Sequence, residues 1–459
     1  MLFNSLTFLI FAVVVFGGYW MLRKRDWQNA FLLVASYVFY GWWDWRFLFL
    51  IGGCSLVNFI AGRIIHESRS PTVRRSALAA CCVVCVGALC YFKYANFFLD
   101  SLIALVRLVR PEFASGFALQ ILLPVGISFF TFQALSYTFD IYFGKLEPTK
   151  SWVEFFVFIS FFPQLVAGPI ERATNLLPQF QRERRFDFDD ATQGLCLVAY
   201  GLFKEMVVAD TLALYVDKVF GMPEFYNSLS CILAAFFFAI QIYCDFSGYS
   251  DCARGIARFF GFELMLNFNR PYLADSFVDF WRRWHISLST WFKDYVYIPL
   301  GGNRAGFAKL IRNVWVVFLL SGLWHGAAWT FVIWGALHAL YQTVQLLLKR
   351  KPGKLVTFIF VVFAWIFFRA RGFDNLAVFM KTLFTGGFKI TTTGLFASLG
   401  PMTFLYCWMA VGLLALSYLT PVDCRFKRLG GKFLFTLACA AAIVVIGMPS
   451  GGEFIYFQF

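Results

Sequence analysis

Two of the chain's four histidines sit where an imidazole could do chemistry. His325 stands in FLLSGLWHGAAWTFVIWGALHAL, between two apolar runs that read as membrane helices. Lys309 and Arg312 precede the first run and Lys349 follows the second. Basic flanks favour the cytoplasm, so the Trp324-His325-Gly326 turn is expected deep in the bilayer or toward its outer face. An ionisable side chain at that depth is costly and usually functional. Burial disfavours the imidazolium, and a neutral imidazole is a competent general base. Ser321, Gly322, Gly326, Ala327 and Ala328 leave room for a substrate chain. The plain alternative is a histidine hydrogen-bonded within a helix bundle.

The second histidine lies in the polar stretch 262–308, within SFVDFWRRWHISLSTWFKDYVYIPLGGNR. Placed on one helix, Phe277, Trp281, Trp284, Leu288, Trp291 and Tyr295 form an aromatic stripe. Asp279, Arg282, Arg283, Ser289 and Lys293 fall opposite, and His285 falls on the border. Such a helix suits the bilayer interface or the side of a bundle. Arg282 and Arg283 also read as interfacial anchors, and His285 alone reads as a structural histidine. Gly301-Gly302-Asn303-Arg304 is a glycine turn with a cation. Its amides could cradle a phosphate, although the P-loop lysine and spacing are absent. Asp245, in IYCDFSGYSD, is either an orienting or substrate-contacting carboxylate or a helix cap, a role Ser247 could share. His338 reads as structural and His66, among Arg63, Arg69 and Arg74, as a solvated loop residue.

These residues need a lipid-embedded scaffold. The 459 residues are 60% apolar and only 14% charged, against about 25% charged in soluble domains. That excludes a soluble enzyme, a disordered chain and a disulfide-rich secreted scaffold. The net charge of +14 clusters between apolar runs, as in cytoplasmic loops, and no nucleic-acid signature accompanies it. Apolar runs fall at 5–22, 29–43, 47–65, 76–92, 119–143, 152–170, 192–220, 228–246, 309–323, 327–348, 355–370, 403–420 and 432–449. Pro124, Pro163 and Pro169 interrupt or end some of them. The expectation is an all-α polytopic membrane protein with about 10–12 spans of about 20 residues, plus short re-entrant and interfacial helices. A single integral-membrane domain, 1–459, is the simplest division: N-terminal helices 1–120, a core 121–350 holding both histidines, and C-terminal helices 351–459. Arg23-Lys24-Arg25 follow the first run, which argues against a cleaved signal and places the N-terminus outside. Segments 63–75, 171–190, 349–354 and 425–432 then read as cytoplasmic, and Trp42-Trp43-Asp44-Trp45 as an outer turn. Cys81, Cys82 and Cys85 read as small apolar residues of a membrane helix, and no metal site is expected.

The chain resembles the membrane-bound O-acyltransferase family, in the bacterial branch that O-acetylates alginate, cellulose and peptidoglycan. The resemblance lies in LPVGISFFTFQALSYTFDIY (123–142), FFPQLVAGPI (161–170), QIYCDFSGYSD (241–251), NRPYLADSFVDFWRRWHISLSTWFKDYVYIPLGGNR (269–304), SGLWHGAAWTFVIWGALHA (321–339) and FIYFQF (454–459). It implies tilted helices around a thin centre, where a cytoplasmic thioester and an outer acceptor meet through a tunnel. It implies His325 as the catalytic histidine and His285 as a second catalytic or tunnel-lining one. The implied donor is acetyl-CoA, with its charged head near Arg282, Arg283 and Arg304. Oxyanion donors would come from the Trp324 indole or a backbone N–H near Gly326. The implied partners are the lipid bilayer of the bacterial inner membrane, a cell-surface polysaccharide and a periplasmic SGNH-type acetyltransferase. The D-alanyl transferase branch shares both histidine motifs. A D-alanyl transferase, a transporter and a structural subunit of an export complex are therefore the alternatives.

Overall fold

The computed structural model describes residues 1–111, 119, 121–304, 306–388, 396–397, 399–421 and 424–447. The motif FIYFQF and the end of the last apolar run lie outside the described residues. No strand occurs among the described residues. The chain packs as two compact units, Met1–Arg185 with Gly326–Ala328, and Phe186–His325 with Trp329–Phe459.

In the first unit, α1 (Leu6–Met21), α2 (Arg25–Gly41), α3 (Phe47–Glu67), α4 (Pro71–Leu89) and α5 (Ala95–Val109) follow one another with short connections. The Trp42-Trp43-Asp44-Trp45 stretch is the turn between α2 and α3. Helix α6 (Ile127–Tyr142) starts only after Pro124, where Gly126 takes a left-handed conformation. Helix α7 (Trp152–Ser160) stops short of Pro163, and α8 (Ala173–Gln181) follows a series of turns. The expected runs 119–143 and 152–170 are thus each shortened next to a proline, which cannot donate to a helix. Asn58 ties this unit together. Its Oδ1 accepts from the Thr138 hydroxyl at 2.7 Å and from Cys81 Sγ at 3.1 Å. Cys54, Cys81 and Cys85 are buried around it.

In the second unit, α9 (Phe188–Leu202) continues through a π-helical turn, Phe203–Ala209, into α10 (Asp210–Gly221). Helix α11 (Ser228–Phe259) runs for 32 residues and is capped by the Asn227 side chain. Its run was expected to end at 246. The helix instead carries Asp245, Asp251 and Arg254 onward to Phe259. This is tolerated because Asp251 accepts from Lys204 Nζ at 2.6 Å and Lys204 also donates to Ser247 at 2.9 Å. An uncompensated charge at membrane depth would cost about 3 kcal/mol. Asp245 and Ser247 lie in mid-helix, so neither is a cap.

Glycines bring α9 and α11 into backbone contact. A Cβ on Gly201 would meet the Gly248 carbonyl at 2.5 Å, and one on Gly194 would meet the Gly255 carbonyl at 2.6 Å. Both pairs are seven residues apart on each helix, so the contact recurs along one face. Without a hydrophobic force between helices in lipid, such close packing is a main source of association. The same device joins α14 (Phe307–His325) to α15 (Trp329–Leu348). A Cβ on Gly322 would collide with the Phe331 carbonyl, and one on Gly335 with the Phe318 carbonyl. Helices α16 (Lys354–Arg369) and α17 (Phe373–Thr385), then Pro401–Ser417 and Leu429–Ile446, complete the unit.

Six helices among the described residues are long and apolar enough to cross a membrane: Phe47–Glu67, Pro71–Val109, Ser228–Phe259, Phe307–His325, Trp329–Leu348 and Leu429–Ile446. Leu6–Met21 and Pro401–Ser417 are shorter apolar helices. The protein is therefore an all-α polytopic membrane protein.

Candidate active site

The aromatic stripe predicted along 277–295 does not ride on one helix. Helix α12 (Phe277–Arg283) is capped by Ser276, whose hydroxyl accepts from the Asp279 N–H at 3.3 Å. Trp284 then turns extended and His285 turns left-handed, at φ 43° and ψ 54°, before α13 (Ile286–Phe292) begins. A non-glycine residue rarely adopts this conformation, and nothing in the local sequence announces it. Phe277, Trp281, Trp284, Leu288 and Trp291 are nevertheless all buried. The break puts His285 inside the unit instead of on a helix border, with 0% of its surface exposed.

The strap that holds this break comes from the segment before it. The Asn269 N–H donates to the Arg283 carbonyl at 2.9 Å, and the Ile286 N–H donates to the Asn267 carbonyl at 2.9 Å. The Asn267 side chain bonds across the same turn. Its Oδ1 lies 3.2 Å from His285 Nδ1 and accepts from the Ser287 N–H at 3.2 Å and the Ser287 hydroxyl at 2.9 Å. Its Nδ2 donates to Ser250 of α11 at 3.1 Å. Burial pushes the His285 imidazole down to about 3, so the ring is neutral throughout the physiological range.

His325 ends α14 and is 3% exposed. Its ring centroid lies 6.2 Å from that of His285. Trp324 sits beside both, at 5.0 Å from His325 and 5.7 Å from His285. Trp334 of α15 and Phe368 of α16 approach His325 edge-on at 5.1 Å and 5.4 Å. Phe246 of α11 meets the His285 ring at 4.6 Å and 90°. Two histidines forty residues apart in the chain thus share one aromatic chamber. A direct N–H···N bond would bring the two ring centres to about 5 Å. At 6.2 Å the two ring centres lie beyond such a bond.

A cavity of about 690 Å³ lies between α12, α13, α14 and α15. Arg282, Asn303 and Ser321, three residues singled out from the sequence, line it, with Lys293 and apolar walls that include Ile286, Val314 and Phe318. Neither histidine is among its lining residues. Ile286 is next to His285, Ser321 is one turn before His325, and Trp281 stands between. Trp281 lines the cavity and touches Trp334 at 5.7 Å, the ring against His325. The other residues of the sequence reading are placed differently. Arg283 is ion-paired with Asp279 at 2.9 Å. Arg304 is exposed and does not line the cavity. Asp245 is buried on α11, beside Phe246 in sequence and within electrostatic range of Glu205. His338 has a structural partner, accepting from the Trp281 indole N–H at 3.3 Å, and His66 is exposed.

Asn267, Trp334 and Phe368 were not anticipated from the sequence. Asparagine before an Arg-Pro turn looks like ordinary loop chemistry, and aromatic residues in apolar runs look like core.

Comparison with known proteins gives a consistent picture. The membrane-bound O-acyltransferase family profile matches residues 149–373, a range that holds both histidines. Over its whole length the chain is 36% identical to the "Probable alginate O-acetylase AlgI" of Pseudomonas putida, also covered in full. It is 35% identical to the peptidoglycan O-acetyltransferase of Helicobacter pylori, over 83% of this chain and 79% of that protein. A more distant relative is the teichoic acid D-alanyltransferase of Bacillus subtilis, 26% identical over 55% of this chain and 70% of the relative.

Proposed function

This chain belongs to the membrane-bound O-acyltransferase family, and we propose that it moves an acetyl group from cytoplasmic acetyl-CoA to a hydroxyl on the outer side of the bacterial inner membrane. The acceptor is a cell-surface polysaccharide or the nucleophilic serine of an SGNH-type partner that passes the group on. The observation that carries this reading is the pair of buried histidines 6.2 Å apart, beside a separate cavity that Arg282 and Lys293 line.

In the proposed reaction, the acceptor hydroxyl sits between the two imidazoles. His325 removes its proton as the oxygen attacks the thioester carbonyl. The tetrahedral intermediate collapses by breaking the C–S bond, the thiolate takes the proton from the imidazolium, and an acetyl ester and a free thiol leave. The Trp324 ring, 5.0 Å from His325 and 5.7 Å from His285, suits its indole N–H to the developing oxyanion, whose stabilisation is commonly the largest catalytic contribution. The cavity beside α12 and α13 suits the donor. Its volume is that of a cofactor pocket, its walls match an apolar acyl-pantetheine arm, and Arg282 and Lys293 suit the phosphates. Passing only the acyl group outward avoids moving a polyanionic carrier through lipid. The basic segments that follow α1 and α3 favour the cytoplasm and so support an outer N-terminus.

Acetyl transfer by purified protein tests the reading. His325→Ala should lower turnover by about 2–4 orders of magnitude while the protein remains folded. Wild-type turnover in that variant would remove His325 from the chemistry. The relationship to a teichoic acid D-alanyltransferase supplies the competing donor. An aminoacylated carrier protein should support no transfer where acetyl-CoA does.

A further inference from the structure

We propose that Asn267 is a positioning residue that fixes the His285 proton on Nδ1 and so leaves the basic lone pair on Nε2. The proposal rests on the reading of His285 as a participant in transfer. The backbone N–H of Ser287 can only donate, and it points at the Asn267 side chain at 3.2 Å. The atom it meets must therefore be the amide oxygen, which settles the orientation of the amide independently of the histidine. The Asn267 Nδ2 then faces Ser250 at 3.1 Å, a hydroxyl able to accept.

With Oδ1 so fixed, His285 Nδ1 at 3.2 Å must carry the hydrogen. A bare Nδ1 would set two lone pairs against each other inside a closed site, where an unmade polar contact is expensive. The Ser287 hydroxyl, 2.9 Å from the same oxygen and 3.4 Å from Nδ1, donates to the oxygen and can accept from the ring. A neutral imidazole has one N–H, so Nε2 is the acceptor. His285 then faces the reaction as a hydrogen-bond acceptor, suited to drawing the acceptor hydroxyl into line with His325. The left-handed backbone at His285 and the paired strap bonds to 267 and 269 hold the ring against this single side chain. Asn267 is 1% exposed, so water does not substitute for it.

The test uses the full-length protein in nanodiscs, labelled with 15N only in histidine. With four histidines in the chain, His285→Gln assigns the relevant signals. The wild type should show a protonated, pyrrole-type Nδ1 and a pyridine-type Nε2 for His285 at neutral pH. Asn267→Leu should abolish that preference and lower kcat about tenfold or more, with KM for acetyl-CoA unchanged. Asn267→Asp, which keeps the acceptor oxygen, should recover most of the kcat and add a new acidic limb to the pH profile, since a carboxylate favours the imidazolium. A protonated Nε2 in the wild type overturns the proposal without any variant having to fold. Wild-type kcat in Asn267→Leu while His285→Gln has lost activity also overturns it. Wild-type kcat in both variants instead overturns the reading of His285 on which it rests.

Discussion

At the scale of single residues, burial is what suits the two histidines to the proposed chemistry. His285 is held neutral by desolvation, with a folded value of about 3 against about 6.5 for the free side chain. Between those values the unfolded chain binds the extra proton and the folded one does not. The stability linked to this group is therefore complete above pH 6.5 and is lost as pH falls toward 3. Thermal unfolding in detergent at pH 7 and pH 5 should show a larger drop in Tm for the wild type than for His285→Gln. Equal drops would mean that the ring is protonated in the folded protein. His325 was legible in the sequence because a histidine between two apolar runs has few innocent explanations. His285 was legible only in part. Its proposed participation rests on family resemblance, whereas its break in the helix is strapped by Asn267, eighteen residues upstream, which no local pattern reveals.

At the scale of elements, the site depends on how closely helices approach. The glycine pairs 194/255 and 201/248 let α9 and α11 touch along their backbones, and Phe246 of α11 presses on His285. Gly248→Leu should therefore prevent accumulation of folded protein, or lower its Tm sharply. Gly412→Ala, where an added Cβ meets nothing within 4 Å, should leave both unchanged. Size-exclusion profiles and melting curves of the two variants decide this, and a well-folded Gly248→Leu protein would refute the close contact. The helical class and most of the long apolar helices could be read from hydropathy alone. The ends of α6, α7 and α11 could not. Prolines shortened the first two, and a lysine on another element allowed α11 to carry charge well past its apolar run. Hydropathy sees composition along a segment and is blind to a partner supplied from elsewhere.

At the scale of the whole molecule, the proposed chemistry is vectorial. Inverted membrane vesicles expose the cytoplasmic face. Labelled acetyl-CoA added outside them should yield acetyl ester on an acceptor sealed within, and the yield should vanish with His325→Ala. Ester formed only when donor and acceptor share one compartment would contradict the proposal. The ring walls around His325 carry a consequence of their own. Trp324, Trp334 and Phe368 present hydrocarbon edges and one kind of N–H, so they offer an activated acyl carbon nothing to react with and give bulk solvent little foothold. Such an enclosure governs fidelity more than speed, because it sets how many thioesters are squandered for each one delivered. Phe368→Ser, which admits a hydroxyl and room for water, should leave acetyl-CoA consumption high while the share reaching the acceptor declines, a leak measurable as free acetate.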